Sequence, residues 1–251
     1  MRKKIIIGNW KMHKTQAAAK VFAKETVDLV ARAKQDGIIL GVAPSYLSLE
    51  VVKKHNKRLI VAAQNVHQEE AGAFTGEISL PMLQEIKIGH VILGHSERRQ
   101  YFNETDAALN LKVNRVLNAG LVPIFCVGET LSEFEAKLTK TVIARQITIG
   151  LAGINPALVK KLIVAYEPVW SIGTGKNASP EIAQDICAFI RHELMKMYGK
   201  SKANQIHLLY GGSVKPENIK AYLSLQDVDG ALVGGASLEV ASFTKLVMNL
   251  K

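Results

Sequence analysis

The feature that most constrains this chain is a rhythm. Short runs of apolar, mostly β-branched residues recur at 5–7, 38–42, 59–63, 91–93, 122–127, 162–165, 206–209 and 230–233. Between most of them lie stretches with helical spacing, at 17–33, 107–117, 139–149 and 182–197. Strands that are apolar throughout, rather than at alternate positions, need both faces covered, as in a parallel sheet wrapped by helices. Eight repeats in 251 residues give about 31 residues per unit, the size of one strand with its helix. The count predicts an α/β chain folded as a closed (β/α)8 barrel, with residues 1–251 forming a single domain. No Ser/Pro-rich linker or shift in composition marks a boundary. The rhythm breaks once, at residues 64–80, which show no helical spacing and contain the polar, glycine-rich "GAFTGE" at 72–77. An irregular insertion of that length in a compact domain reads as functional or as an interface.

Composition removes several classes. No apolar run approaches the ~18 residues of a membrane span. The basic start "MRKKIIIGNW" has an apolar run of only three residues, short of the roughly 7 of a secretory signal. A cytoplasmic protein is expected. Its two cysteines, Cys126 and Cys187, stand in unlike contexts and fit neither a disulfide framework nor a metal pattern, so both read as reduced thiols. The net charge of +10 raises the question of nucleic acid. The lysines and arginines are scattered, however, without the interleaved aromatics of single-strand binders. Neither a nucleic-acid nor a membrane partner is expected, and a basic field that steers a small anion is equally compatible with the charge.

In a barrel of this kind, chemistry belongs at the carboxyl ends of the strands. The first run leads into "GNWK", where Asn9 and Lys11, two apart, share a side if the chain stays extended. Taken alone, Lys11 is an ordinary surface lysine; beside a pocket it offers a compact charge to an anion. The fourth run ends "LGHSERR", with Gly94 allowing a turn, His95 at the mouth and Ser96 as the expected helix N-cap. A helix start beside the imidazole favours the neutral ring. The sixth run delivers Glu167, a candidate general base partly withdrawn from water, then Pro168 and an irregular glycine-rich stretch. The bland alternative is a loop acid paired with an arginine. The seventh and eighth runs end "YGGS" (210–213) and "VGGA" (233–236). Paired glycines with helices beyond them match the usual phosphate site of such barrels. "GTGKNA" at 173–178 fits a relaxed dinucleotide pattern but lies too far past its strand, and it also fails as a P-loop.

The motifs "GNWKM", "AQN", "GAFTGE", "LGHSERR", "CVGE", "AYEPVWSIGTGK", "YGGSV" and "GALVGGASL" occur in order over nearly the whole chain. Together they closely resemble the triosephosphate isomerase family. The resemblance implies interconversion of dihydroxyacetone phosphate and D-glyceraldehyde 3-phosphate through an enediolate, with no metal and no organic cofactor. It implies Glu167 as the base and His95 as a neutral electrophile, a pairing already described for this family. It implies Lys11 as electrostatic anchor, Asn9 as its polar partner, and Glu97 as an acid close to both Lys11 and His95. Gly173, Ser213, Gly234 and Gly235 match phosphate-gripping positions, and residues 168–178 match the family's active-site lid. The 72–77 loop resembles the family's interface loop, so a homodimer is expected. Asn177 departs from the Thr or Val more usual at the lid's far hinge. Two competing readings are another phosphate-binding barrel isomerase and a non-catalytic basic barrel that only binds. The first does not require "GNWK", "GHSE" and "YEPVW" together, and the second would be favoured by loss of Glu167, His95 or Lys11.

Overall fold

A computed structural model of the chain describes residues 2–171 and 177–250. Eight parallel strands close on themselves in sequence order: β1 (Lys4–Asn9), β2 (Ile38–Ala43), β3 (Ile60–Ala63), β4 (His90–Leu93), β5 (Val122–Val127), β6 (Ile163–Tyr166), β7 (His207–Tyr210) and β8 (Gly230–Val233). Closure is made by β1 and β8, with Ile5 opposite Gly230 and Gly8 opposite Val233. Each predicted run lies on a strand to within one or two residues.

The continuous apolar runs are explained by two cores that share each strand. Ile5 and Ile7 point into the barrel with Ala62, Ile92, Ile124, Ala165, Leu209 and Leu232. Ile6 points outward, into the layer between barrel and helices, with Phe22, Phe125 and Phe243. Alternate side chains of one strand therefore fill different cores, and neither face can be polar. Full burial of an Ile or Phe contributes on the order of 1.5–3 kcal/mol, so both layers hold the barrel in shape.

The stretch at 17–33, read as one helix, is two: Gln16–Glu25 and Val27–Gln35. The break is Thr26, fully buried, whose hydroxyl donates back to the Phe22 carbonyl at 2.8 Å. Such back-bonding competes with the helical ladder and bends it. Asn56 Nδ2 completes the joint by donating to the Ala23 carbonyl at 3.2 Å.

Residues 64–79 form no helix or strand, as expected, and the next helix begins at Leu80. The loop is closed at its base, where His67 N–H donates to the Ile78 carbonyl at 2.8 Å. Residues 69–77 are exposed, and the rings of His67 and Phe74 pack 4.2 Å apart. At the opposite, amino-terminal end of the barrel, buried Arg191 joins Asp227 at 2.7 Å and Asp229 at 2.9 Å, and Arg2 also reaches Asp229.

Candidate active site

At the carboxyl ends of the strands lies a cavity of about 500 Å³. Asn9, Lys11, His95, Glu167, Ser213, Gly234 and Gly235 all line it. Residues as far as 226 positions apart in the chain (235 − 9) thus meet because each ends, or closely follows, a barrel strand. Glu97 does not line the cavity but holds its neighbours: its Oε1 lies 2.7 Å from Lys11 Nζ. Gly173 lies outside the described residues.

The β1 end differs from its sequence reading. Lys11 does not continue an extended chain; its φ is +52°, in the left-handed region. Its N–H donates to Asn9 Oδ1 at 3.1 Å, which turns the Asn9 amide nitrogen away from the backbone. Gln64 closes the turn from outside. Its Nε2 donates to the Lys11 carbonyl at 2.7 Å and to the Ala43 carbonyl at 2.9 Å. Gln64 stands in "AQN" directly after the end of β3, and that place is the only sign of its role in the sequence.

The β4 end also corrects an expectation. Ser96 is not the N-cap of the helix Ser96–Phe102; His95 is. The ring Nδ1 accepts the Glu97 backbone N–H at 3.2 Å. A nitrogen that accepts a hydrogen bond carries no proton, so the neutral ring bears its hydrogen on Nε2. Gly94, with φ +71°, supplies the turn that presents this ring to the cavity. The Ser96 N–H is left free for another partner, and it donates to Glu167 Oε2 at 2.9 Å. Glu167 Oε1 lies 3.1 Å from His95 Nε2. The carboxylate, 2% exposed, is thus held between a main-chain donor and the protonated side of the imidazole. The arginine partner of the bland reading is not found for Glu167 among the described residues.

After β8, Gly235–Ser237 forms a single 3-10 turn before the helix Val240–Met248. After β7 the helix starts only at Ile219. The glycine turns are therefore not immediate helix starts, as the sequence suggested. The first N–H groups of a 3-10 turn still have no acceptor within the turn, so Gly235 and Ala236 present donors at the cavity edge.

A model of the family described as triosephosphate isomerase matches residues 4–250. The chain belongs to the triosephosphate isomerase family. Relatives bearing that name include one from Carboxydothermus hydrogenoformans, 50% identical over 98% of both chains. Another, from Clostridium acetobutylicum, is 49% identical over 98% of this chain and 99% of its own. A third, from Caldanaerobacter subterraneus subsp. tengcongensis, is 47% identical with the same coverage. Family membership makes the chain an isomerase.

Glu129 of "CVGE" also meets Tyr166 and Trp170 of "AYEPVWSIGTGK" beside the site. Glu129, fully buried, accepts from Trp170 Nε1 at 2.8 Å and from Tyr166 Oη at 3.1 Å, which ties the start of the 168–178 segment to the β5 end. Burial raises the Glu129 carboxyl above its ordinary range, against these hydrogen bonds. Among the described residues, no group of three His, Cys, Asp or Glu side chains is placed to hold a metal ion. No helix among them is long and apolar enough to cross a membrane.

Proposed function

We propose that this chain interconverts dihydroxyacetone phosphate and D-glyceraldehyde 3-phosphate, with Glu167 moving the proton between C1 and C2. The single observation that carries the residue assignment is the Glu167 carboxylate at the cavity, facing His95 Nε2 at 3.1 Å. A carbonyl acidifies the adjacent C–H, so the site needs one base and a donor for the oxygen that gains charge. Glu167 serves as the base. His95 Nε2–H donates to the substrate oxygens, the Lys11 ammonium balances the negative charge of the enediolate, and the Asn9 amide nitrogen donates a hydrogen bond beside it. Glu97 keeps the Lys11 ammonium at the rim.

In the described arrangement Glu167 is occupied by Ser96 N–H and faces His95. Substrate binding must exchange these contacts: the imidazole turns its proton to a substrate oxygen, and the carboxylate advances to the carbon. Phosphate held at Ser213, Gly234 and Gly235 supplies remote binding energy for that exchange. In this reading residues 168–178 form the lid, Gly173 among its phosphate contacts, and closure excludes water. No metal or organic cofactor takes part. The reaction places the enzyme in glycolysis and gluconeogenesis, in the cytoplasm.

The assembly we infer is a homodimer through the 72–77 loop. Supporting it are exposed apolar side chains on the connections after four successive strands: Met12, Leu47, Phe74 and Met82, and Tyr101 with Phe102. Met12 is 95% exposed, and it is the gathering of such side chains on adjacent connections that a second copy would cover. Light scattering at micromolar concentration is expected to give twice the chain mass; a fully active monomer would refute the dimer.

Turnover in D₂O tests the proton path. Isomerisation by a single base that exchanges with solvent places deuterium at the carbon that receives the proton. His95→Gln is expected to retain this labelling while turnover falls by roughly 100-fold. An unchanged rate would remove His95 from its proposed role.

A further inference from the structure

We propose that Gln146 is a positioning residue for Glu167, acting through the main chain of Gly128. The helix Thr139–Gly150 buries Val142, Ile143, Gln146, Ile147 and Gly150, and Gln146 is the one polar side chain on that face. It is 3% exposed. Its amide grips one residue twice: Oε1 accepts the Gly128 N–H at 2.8 Å, and Nε2 donates to the Gly128 carbonyl at 3.0 Å. This pairing also fixes which end of the amide is which.

Gly128 is the residue on which Glu167 rests. A Cβ added there would fall 1.8 Å from the Glu167 carbonyl oxygen, so the two main chains are in direct contact. The neighbours of Gly128 complete the rail. Val127 carbonyl accepts the Glu167 N–H at 2.8 Å, and Glu129 carbonyl accepts the Val169 N–H at 3.1 Å. The ladder between β5 and β6 ends at Val127 opposite Tyr166, one residue before both Gly128 and Glu167. On the other side the ladder with β4 ends at Leu93 opposite Phe125, so there the Gly128 peptide plane has Gln146 in the place of a neighbouring strand. A rotation of that plane would carry the Glu167 main chain, and its carboxylate, off the line between Ser96 N–H and the cavity.

The inference rests on Glu167 as the base, and Glu167→Asp in the otherwise unaltered chain tests that reading by itself. For Gln146, two variants are compared with the parent: Gln146→Met, of similar length but without either hydrogen bond, and Gln146→Glu. A protonated glutamic acid reproduces both bonds, its carbonyl accepting and its hydroxyl donating; the ionised form turns an oxygen toward the Gly128 carbonyl. Gln146→Met is expected to lower kcat by roughly 10–100-fold, as sub-ångström to ångström misplacement does, while inhibition by inorganic phosphate keeps its constant. Gln146→Glu is expected to exceed Gln146→Met in kcat at pH 6, and its ratio to the parent rises as pH falls from 8 to 6. A kcat within twofold of the parent for Gln146→Met overturns the proposal. So does a matching loss of phosphate affinity, which marks a merely structural role. If Gln146→Met does not fold, Gln146→Glu decides alone: no rise of its ratio toward acid overturns the proposal.

Discussion

His95 has its tautomer set from both sides, by the Glu97 main-chain N–H on Nδ1 and by the Glu167 carboxylate facing Nε2. Its neighbour Ser96 then has an N–H to spare for Glu167, so two consecutive peptide groups orient the acid and the imidazole together. The type and place of both residues were legible in the sequence, since each follows an apolar run. The division of labour was not, because which atom caps a helix depends on a ring orientation that spacing does not encode. Lys11 was legible as a charge, but its left-handed backbone was hidden: Asn9 in "GNWK" holds one end of the turn, and the other is held 53 positions away by Gln64. Replacing the charge while keeping the stem tests the anchor. Lys11→Met is expected to raise KM for the triose phosphate at least tenfold with an unchanged circular dichroism spectrum. Wild-type KM would show that the ammonium is only a surface charge.

At the scale of elements, strands were read more accurately than helices. A strand buried on both faces must be apolar at every position, whereas a helix needs only a stripe, and a stripe can run through a break. Residues 17–33 kept helical spacing across Thr26 because Phe22, Ala23, Val30 and Ala33 still face the core on both sides of the joint. The polar seam of Thr26 and Asn56 is what the apolar pattern could not show. Asn56→Leu leaves the Ala23 carbonyl without this donor in a buried setting and is expected to destabilise the fold by about 1–3 kcal/mol. Chemical denaturation checks this; a midpoint equal to the parent's would mean that the seam carries no net stability. Gln146 belongs to the same class, a polar residue inside an apolar stripe, visible in the sequence only as a misfit.

On the scale of the whole molecule, the two ends of the barrel are built for different tasks. The carboxyl end gathers Asn9, Lys11, His95 and Glu167 around a cavity. The amino end is locked by Arg2, Arg191, Asp227 and Asp229. Histidines at the amino ends of β4 and β7 make the fold sensitive to acid. Burial, with Lys53 nearby, lowers His90 to about 4, and burial lowers His207 as well. Once unfolded, His90 takes a proton near its ordinary value of 6.5, so between those pH values the unfolded chain binds more protons. The stability is fully present above pH 6.5 and declines as pH falls toward about 4. His90→Gln is expected to flatten part of that decline in a series of thermal melts; an identical slope would exclude His90 as a source. Eightfold repetition made the barrel legible from the sequence, since few other folds use eight buried strands spaced about 31 residues apart. Proton transfer rests on the Glu167 carboxylate, and Glu167→Asp probes it. Shortening the side chain withdraws the carboxylate without removing its charge. A kcat lower by roughly 100-fold or more is expected, with inorganic phosphate binding as tightly as to the parent. Parent-like turnover, or a collapse of phosphate affinity in its place, would contradict Glu167 as the base.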